Sequence, residues 1–330
     1  MNASRRSFVA RASSLVLGAA IAPRMAWAST ASYPDKAVRF YIPYPPGAAT
    51  DTLGRMAADV YAQAFGQTFV VENRGGGGTT IGTRALASAM PDGYTIGMVD
   101  SAFTINPGLR GAQLTYDTLN DFAPISLMAT APFVMVVHPS VRASDIESFI
   151  ALAKAQPGVL SFGSAGVGSG PHLAGEQFRQ QAGIDIQHIP YRGGGTVITD
   201  LLGGQVEFAF ATVPTLYEHI KAGRLRALAV TSAQRVNRLP DVPTFSEAGL
   251  PGVDIMPLFG LVAPAGVPAD IIDKLSTTLA QSVRSGDLHE KLTGLGFETV
   301  GSTPAEFDRR IRDDVVKWEA VIQRGGFKAE

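Results

Sequence analysis

Residues 160–172 read LSFGSAGVGSGPH, and this stretch indicates how the chain folds. A short apolar run is followed by a loop of small residues over Gly163–Gly170 and by a predicted helix over Pro171–Ala182. Small side chains let a ligand approach the backbone closely, and the free N–H groups at a helix N-terminus favour an anion. The stretch therefore predicts an anion-binding loop, to which Ser164 and Ser169 add hydroxyl donors.

Two other interpretations of this loop stay open. One is a tight turn without a ligand, and the other is a dinucleotide-binding fingerprint. Gly166-Val167-Gly168 supplies a G-x-G, but the third glycine, Gly170, comes one place early. No acidic residue clearly ends the next strand as a ribose ligand.

A second strand–loop–helix unit lies near the N-terminus, where residues 38–51 read VRFYIPYPPGAATD. A strand is predicted over Val38–Pro43 and a helix over Thr50–Phe65. Prolines stiffen the loop between them, and Gly47 permits its turn. Asp51 either complements the helix dipole alone or also orients the loop and contacts a ligand. Two such units, one per domain, would face each other across a cleft.

The rest of the chain alternates short apolar runs with amphipathic stretches, which is typical of α/β architecture. The other predicted strands are Gln67–Glu72, Tyr94–Val99, Ile125–Ala129, Phe133–His138, Leu160–Phe162, Ile186–Pro190, Val206–Ala211, Ala227–Thr231 and Gly260–Ala263. The other predicted helices are Ile81–Ala89, Ser144–Ala155, Thr196–Leu202, Leu216–Ala222, Pro268–Ser285, Leu288–Leu295 and Pro304–Arg324. Ser144 is a predicted N-cap. The last helix carries a predicted core stripe of Phe307, Ile311, Val315, Trp318 and Ile322.

Composition excludes several classes of protein. The length of 330 residues predicts about two domains. The 28 basic and 29 acidic residues form no run of five like charges, which leaves a nucleic-acid partner without support. The absence of cysteine excludes disulfides, Fe–S clusters, thiolate zinc sites and cysteine nucleophiles. The five histidines lack metal-ligand spacing, so neither a metal nor a cofactor is predicted.

The N-terminus predicts export. Residues 1–28 combine Arg5 and Arg6 with the apolar stretch Leu15–Ala22 and an A-x-A cleavage site that ends at Ala28. The arginine pair fits a twin-arginine signal, and an ordinary Sec signal is the alternative. No later segment is long and apolar enough to be a membrane helix. A soluble exported protein, most simply periplasmic, is therefore predicted.

Arrangements that suit nucleophilic catalysis are poor. No G-x-S-x-G elbow occurs. Ser169 and His172 lie three residues apart and leave an exported serine hydrolase as one alternative function. At the start of a helix, however, His172 is more typical of a capping or packing residue.

In its order of motifs the chain resembles the Bug-type periplasmic solute-binding proteins, which are the receptors of tripartite tricarboxylate transporters. The resemblance covers residues 33–327. The motifs that carry it are Pro43-Tyr44-Pro45-Pro46-Gly47 with Asp51, Val71-Glu72-Asn73-Arg74, Pro91-Asp92-Gly93-Tyr94-Thr95, Asn106-Pro107, Gly163–Ser169 with His172–Glu176, Pro190–Gly194, Asp200–Val206 and Leu239–Thr244.

The resemblance implies a two-lobed α/β fold of the type II periplasmic-binding-protein class, with a ligand cleft between the lobes. Two crossover strands would lie near Met128–Phe133 and Ile255–Gly260. Lobe one would comprise residues 29–130 and 257–330, and lobe two would comprise residues 131–256.

The resemblance also implies how a ligand is held. Backbone N–H groups and small side chains of the two loops would bind a carboxylate, often through bridging waters. The predicted ligand-binding residues are Tyr44, Gly47, Ala48, Ala49, Asp51, Ser101, Ser164, Ala165, Gly166, Ser169, His172, Tyr191 and Thr212.

The chain departs from the family pattern at several positions near the implied pocket. Ala48 replaces a glycine, Ala211 replaces an acidic residue, and Leu258 replaces a tryptophan. Loss of the acid favours a plain di- or tricarboxylate or an aromatic carboxylate over an amino acid. Asp100 stands where a neutral residue is usual and adds a negative charge near the cleft.

The function that the resemblance implies is that of a receptor and not of an enzyme. It would bind a small carboxylate between two helix N-termini and deliver it to the membrane permease of a tripartite transporter. A monomer is expected. The main alternative is a sensor that presents its ligand to a membrane signalling partner.

Overall fold

The computed structural model describes residues 33–329, so the predicted export signal over residues 1–28 lies outside the described residues. The strands are β1 Val38–Ile42, β2 Phe69–Asn73, β3 Thr95–Asp100, β4 Phe122–Thr130, β5 Phe133–Val137, β6 Ser161–Ser164, β7 Gln187–Pro190, β8 Phe208–Thr212, β9 Arg226–Val230, β10 Leu258–Pro264 and β11 Glu298–Thr299. The helices are α1 Ala49–Phe65, α2 Thr80–Ala87, α3 Ser101–Arg110, α4 Ile146–Ala155, α5 Gly170–Ala182, α6 Gly194–Leu202, α7 Val213–Lys221, α8 Ala269–Arg284, α9 Asp287–Leu295 and α10 Pro304–Gly325. Within the described range, none of the helices is long and apolar enough to cross a membrane.

The strands form two separate sheets. The first sheet has the order β11-β4-β10-β3-β1-β2, in which β1 runs parallel to β2 and β3. Its strand β10 runs antiparallel to both of its neighbours. The second sheet has the order β7-β6-β8-β5-β9, with β6 parallel to β7 and β8 and with β5 antiparallel to β8 and β9. Helices α1–α3 and α8–α10 pack with the first sheet, which we call lobe one, and α5–α7 pack with the second, which we call lobe two.

The chain passes between the sheets twice, and the two passages are joined by hydrogen bonds. The first passage is Ala131-Pro132, between β4 and β5, and the second follows β9 and leads into β10. Thr231 links them, because its Oγ1 accepts a hydrogen bond from the N–H of Phe133 (3.0 Å) and donates one to the carbonyl of Ile255 (2.7 Å). The two connections therefore form one bonded pair.

Besides the two-residue strand β11, helix α3 is the element that the sequence-based prediction lacks. It contains Pro107, which cannot donate to the carbonyl of Phe103 four residues earlier and which therefore disfavours a helix in any sequence-based prediction. The structure supplies a substitute donor, because Thr118 Oγ1 lies 3.1 Å from that carbonyl and bonds to it. This compensation comes from a residue outside the helix, so local propensity gives no signal for it.

One smaller prediction also needs correction. The N-cap of α4 is Asp145 and not Ser144, because the Asp145 carboxylate accepts from the Ser148 N–H and completes a capping box. The predicted core stripe of α10 is confirmed, because all of its members are buried: Phe307, Ile311, Val315, Trp318 and Ile322.

Helix α5 lies very close to β6 because of a glycine. A Cβ atom on Gly175 would come within 2.2 Å of the ring of Phe162. The contact therefore fixes how far α5, and the loop that precedes it, stand from the second sheet.

We expect Gly175→Ala to lower the free energy of unfolding by about 2 kcal/mol or more, because the added methyl overpacks the Phe162 contact. Gly294→Ala is a matched control in α9, since nothing lies within 4 Å of its added Cβ. The control should change stability by about 1 kcal/mol at most, in the stabilising direction. Urea unfolding of both variants tests this, and a Gly175→Ala variant as stable as the parent contradicts it.

Candidate ligand-binding site

A pocket of about 690 Å³, counted to its open mouth, lies between the lobes. Both lobes line it, with Tyr44, Ala49 and Ser101 on one side and Ser164 and Thr212 on the other. Of the predicted ligand-binding residues, the wall contains Tyr44, Ala48, Ala49, Ser101, Ser164, Ala165 and Thr212. The structure places the remaining ones outside the wall: Gly47, Asp51, Gly166, Ser169, His172 and Tyr191.

Five helices begin at this wall, where sequence analysis predicted two. The wall includes the first residue or the N-cap of α1, α3, α5, α6 and α7, namely Ala49, Ser101, Gly170, Gly194 and Thr212. The positive ends of these helices make the pocket favourable for an anion. A helix end can donate hydrogen bonds to a ligand only where its N–H groups have no acceptor within the protein.

Three of the five helix ends have few donors left. Ser169 Oγ caps α5 by accepting from the His172 N–H at 3.4 Å, and Pro171 has no N–H. In α7 the Val213 N–H donates to the carbonyl of Pro132 at 3.1 Å. Its next residue is again a proline, and the N-terminus of α3 is capped by the carboxylate of its own N-cap residue.

The N-termini of α1 and α6 keep their donors. The N-cap of α1 is Ala48, which has no side-chain acceptor. The N-cap of α6 is Gly193, and no described side chain caps that helix either. The two ends face each other across the cleft, since a Cβ on Gly194 would lie 3.1 Å from the Cβ of Ala48. Two helix ends without a side-chain cap, one from each lobe, thus lie next to each other at the pocket wall.

The loop before α1 is held by Asp51. Its carboxylate accepts from the Gly47 N–H at 3.2 Å, from Asn73 Nδ2 at 2.8 Å and from Arg55 Nε at 3.1 Å. Burial alone would raise the pKa of Asp51, but these hydrogen bonds outweigh it and lower the pKa. Gly47 has a φ of +107°, which L residues rarely adopt. Asp51 therefore fixes the conformation of the loop through hydrogen bonds, and its side chain is not part of the pocket wall.

The loop before α5 is also held in place, by hydrogen bonds to side chains and by a pair of stacked histidine rings. Ser164 Oγ accepts from the Gly166 N–H at 3.1 Å and lies 2.6 Å from His188 Nε2. The rings of His188 and His172 stack with their centroids 4.2 Å apart. The Gly168 N–H donates to His172 Nδ1 at 3.3 Å. These contacts position the small residues of the loop around the ligand space.

The contacts of Ser169 and His172 are those of a helix cap and not of a nucleophile with its base. Ser169 is fully buried, and its hydroxyl bonds to the backbone N–H of His172 and not to the imidazole. Burial, followed by the charges of Arg179 and Arg110, lowers the pKa of His172 to about 4. At neutral pH the ring is therefore uncharged and already accepts a hydrogen bond from the loop.

Asp100 brings a carboxylate to the pocket wall. As the N-cap of α3 it accepts from the Ala102 N–H at 3.0 Å and from Thr50 Oγ1 at 3.2 Å. Burial raises its pKa to about 6, although hydrogen bonds from the Ala102 N–H, Tyr44 and Thr50 lower it in part. The residue is partly accessible and lines the pocket.

Much of the side of the pocket formed by lobe two is apolar, and the residues of this apolar part are not among the predicted ligand-binding residues. They are Val197, Ile198 and Leu201 of α6, Phe210 of β8 and Leu216 of α7. In the sequence these residues have the helical and strand spacing of ordinary core. Only the tertiary arrangement turns part of this apolar surface toward the cleft.

Direct contacts also join the two lobes at Arg110 and at the Gly75–Gly78 loop. Arg110 at the end of α3 donates from Nη2 to the carbonyls of Gly77 (3.0 Å) and Val167 (3.1 Å). Val167 belongs to lobe two, so the guanidinium joins the glycine loop of lobe one to the loop before α5. Gly78 lies so close to Val167 that a Cβ there would overlap its carbonyl. The Gly75–Gly78 loop therefore forms an inter-lobe contact.

Comparisons with known proteins agree with this architecture. The family model for the tripartite tricarboxylate transporter family receptor matches residues 53–327. BugT of Bordetella pertussis is 35% identical over 301 residues, which are 91% of this chain and 92% of that protein.

Solved structures are also similar to this chain over most of its length. A periplasmic transporter is 36% identical with a TM-score of 0.87, covering 90% of this chain and 99% of its own. An R. palustris protein solved with adipate is 31% identical with a TM-score of 0.86, covering 90% and 99%. MatC from Rhodopseudomonas palustris, with bound malate, is 26% identical with a TM-score of 0.84, covering 88% and 100%. These similarities confirm the predicted two-lobed α/β fold of a periplasmic binding protein.

The buried, stacked rings of His172 and His188 predict how the free energy of unfolding depends on pH. Burial, followed by the charge of His172, lowers the pKa of His188 to about 3. Because histidine in an unfolded chain titrates near 6.5, the unfolded state binds more protons below that pH, and stability falls as the pH falls from about 6.5 toward 4. We expect His188→Gln, which keeps an acceptor for Ser164, to reduce the loss between pH 7 and pH 5 by roughly 1–2 kcal/mol.

Urea unfolding of the parent and the variant at pH 7 and pH 5 measures this difference. The contribution of Asp100, whose raised pKa has the opposite sign, is present in both proteins and cancels. If the free energy of unfolding falls equally in the two proteins between pH 7 and pH 5, His188 is not kept uncharged by the folded structure.

Proposed function

We propose, because this chain belongs to the family of tripartite tricarboxylate transporter receptors, that it is a non-enzymatic extracytoplasmic receptor for a small carboxylate. It would be exported to the periplasm by its N-terminal signal, through the twin-arginine or the Sec route, and act as a monomer. It would deliver the ligand to the membrane permease of a tripartite transporter. The structural relatives solved with adipate and with malate support a carboxylate ligand.

The observation that carries the proposal is the pair of helix ends, α1 and α6, whose N–H groups have no side-chain cap and which face each other. A carboxylate between them would accept charge-assisted hydrogen bonds from both lobes. Sequence analysis proposed α1 together with α5. We favour α6 as the second helix, because Ser169 and Pro171 leave α5 with fewer free donors.

Backbone donors suit a receptor that must release what it binds. A buried arginine opposite the ligand would have to lose its own hydration, and that cost offsets much of the attraction. Neutral N–H groups bind a carboxylate with a smaller desolvation cost. Each charge-assisted hydrogen bond contributes roughly 1.5–3 kcal/mol, so a few of them suffice for micromolar affinity.

Closure of the lobes would complete the site. We propose that residues 29–130 with 257–330 and residues 131–256 move as two bodies about the paired connections at Thr231. The present structure has the lobes in contact through Arg110 and through the close approach of Gly78 and Val167. Closure therefore brings the α6 donors to the α1 donors and covers the ligand at the same time.

We expect Ala48→Asp to abolish carboxylate binding while leaving the ligand-free protein as stable as the parent or more so. An aspartate at the N-cap accepts from the first N–H groups of α1 and is worth about 0.5–2 kcal/mol to the helix relative to alanine. It would occupy the acceptor position that the ligand needs and repel the ligand's charge. Ala48→Gly is the control and should change the affinity by less than about threefold.

Thermal melts with hexanoate, benzoate, adipate, malate and citrate, followed by calorimetry, measure both effects. Recovery of the bound compound unchanged distinguishes a receptor from a hydrolase, and consumption that stops in Ser169→Ala would overturn the proposal. Undiminished binding by Ala48→Asp would place the carboxylate elsewhere in the molecule.

We expect Arg110→Met to weaken binding of the tightest carboxylate of this panel by roughly three- to tenfold, because the closed form loses a cross-lobe hydrogen bond from a charged donor. Arg312→Met, which breaks an exposed ion pair with Asp308 on α10, is the matched control and should leave the affinity unchanged. Calorimetric titration of both variants decides the matter. An equal effect of the two substitutions would mean that Arg110 does not contribute to closure.

A further inference from the structure

The pocket offers a single place where a carboxylate can be bound well. Within the described residues, two helix ends without a side-chain cap meet at α1 and α6, whereas Ser169 and Pro171 limit α5, and one N-terminal donor each of α7 and α3 bonds to Pro132 and Asp100. To a second carboxylate on the same ligand the wall offers side-chain hydroxyls in place of a second pair of helix ends, and the hydroxyls of Thr50 and Ser164 already donate to Asp100 and to the carbonyl of Gly166.

The charges on the wall also disfavour a second carboxylate. Among the described residues that form the wall there is no lysine, arginine or histidine, and Asp100 is the one carboxylate. Asp100 lines the pocket, and because its pKa of about 6 lies below 8, its carboxylate is mostly ionised at pH 8. A ligand with two negative charges would therefore meet repulsion without a compensating cation.

The remaining wall is suited to an apolar group. Val197, Ile198 and Leu201 on α6 lie beside Phe210 and Leu216. These side chains give up no hydrogen bond when they are covered by an alkyl or aryl group, and burial of that group is favourable in proportion to its area. A carboxylate placed against them would lose its hydration.

We propose that the ligand is a monocarboxylate with an apolar body, and that Asp100 and the apolar wall of lobe two exclude compounds with a second carboxylate. This inference rests on the proposed function, which requires only that some small carboxylate is bound. The carboxylate lies between the N-termini of α1 and α6, and the alkyl or aryl body lies against α6 and α7.

Two pairs of probes that differ only in a second carboxylate test the inference: hexanoate with adipate, and benzoate with terephthalate. We expect calorimetry at pH 8 to give at least tenfold tighter binding for the monocarboxylate of a pair. Adipate binding as tightly as hexanoate, together with terephthalate binding as tightly as benzoate, overturns the inference. So does the absence of binding by both monocarboxylates, while the proposed function survives if malate or citrate binds.

Three variants test which residues cause the preference for a monocarboxylate. Asp100→Asn keeps an N-cap acceptor for α3 and removes the charge, so the ratio of affinities within a pair should fall at least threefold. Asp59→Asn, the same change at an exposed position of α1, should leave the ratio unchanged. Val197→Thr, which keeps the shape of the side chain, should weaken hexanoate binding at least threefold. A ratio that is the same in Asp100→Asn as in the parent excludes Asp100 as the determinant.

Discussion

The central constraint in this molecule is an unfilled helix cap. Helix α1 begins after Ala48, whose methyl group accepts nothing, so the first N–H groups of the helix lack the partner that serine, threonine or aspartate would supply. Water or a bound acceptor must satisfy them. Each surrounding feature keeps that helix end open and in place: Asp51 bonds the preceding loop from behind, Gly47 allows its turn, and Asn73 ties the carboxylate of Asp51 to β2.

The contrast with α5 shows why a strand–loop–helix motif alone does not identify an anion site. The two loops look alike in sequence, since both join a strand to a helix through small residues. In the structure Ser169 caps α5 and Pro171 removes a donor, whereas α6, with Gly193 as its N-cap, keeps its donors. Whether a helix end can bind a ligand is decided by its own cap residues and by the tertiary contacts of its first N–H groups.

Sequence analysis succeeded where the signal was local. The two loops, the alternating α/β pattern and the stripe of α10 all depend on residues within a few positions of each other, and the structure contains each of these elements. It failed where a distant residue decides the outcome. Helix α3 exists despite Pro107 because Thr118 bonds the carbonyl that the proline leaves free. The apolar wall is absent from the predicted ligand-binding residues, because spacing along α6 does not reveal which of its side chains line the pocket.

The missing cap also explains how binding and closure are coupled. If a side chain of lobe one satisfied the N–H groups of α1, the helix would be complete without a ligand, and lobe two would gain nothing by approaching it. Because the acceptor must come from outside, the carboxylate of the proposed ligand would complete α1 and at the same time offer its second oxygen to α6 in the other lobe. Contacts such as that of Arg110 with Val167 form only when the lobes meet, so they add to the stability of the arrangement in which the lobes are in contact. The proposed receptor would therefore distinguish its occupied form by the hydrogen-bonding requirement of one helix end, which a ligand without an acceptor group would not fulfil.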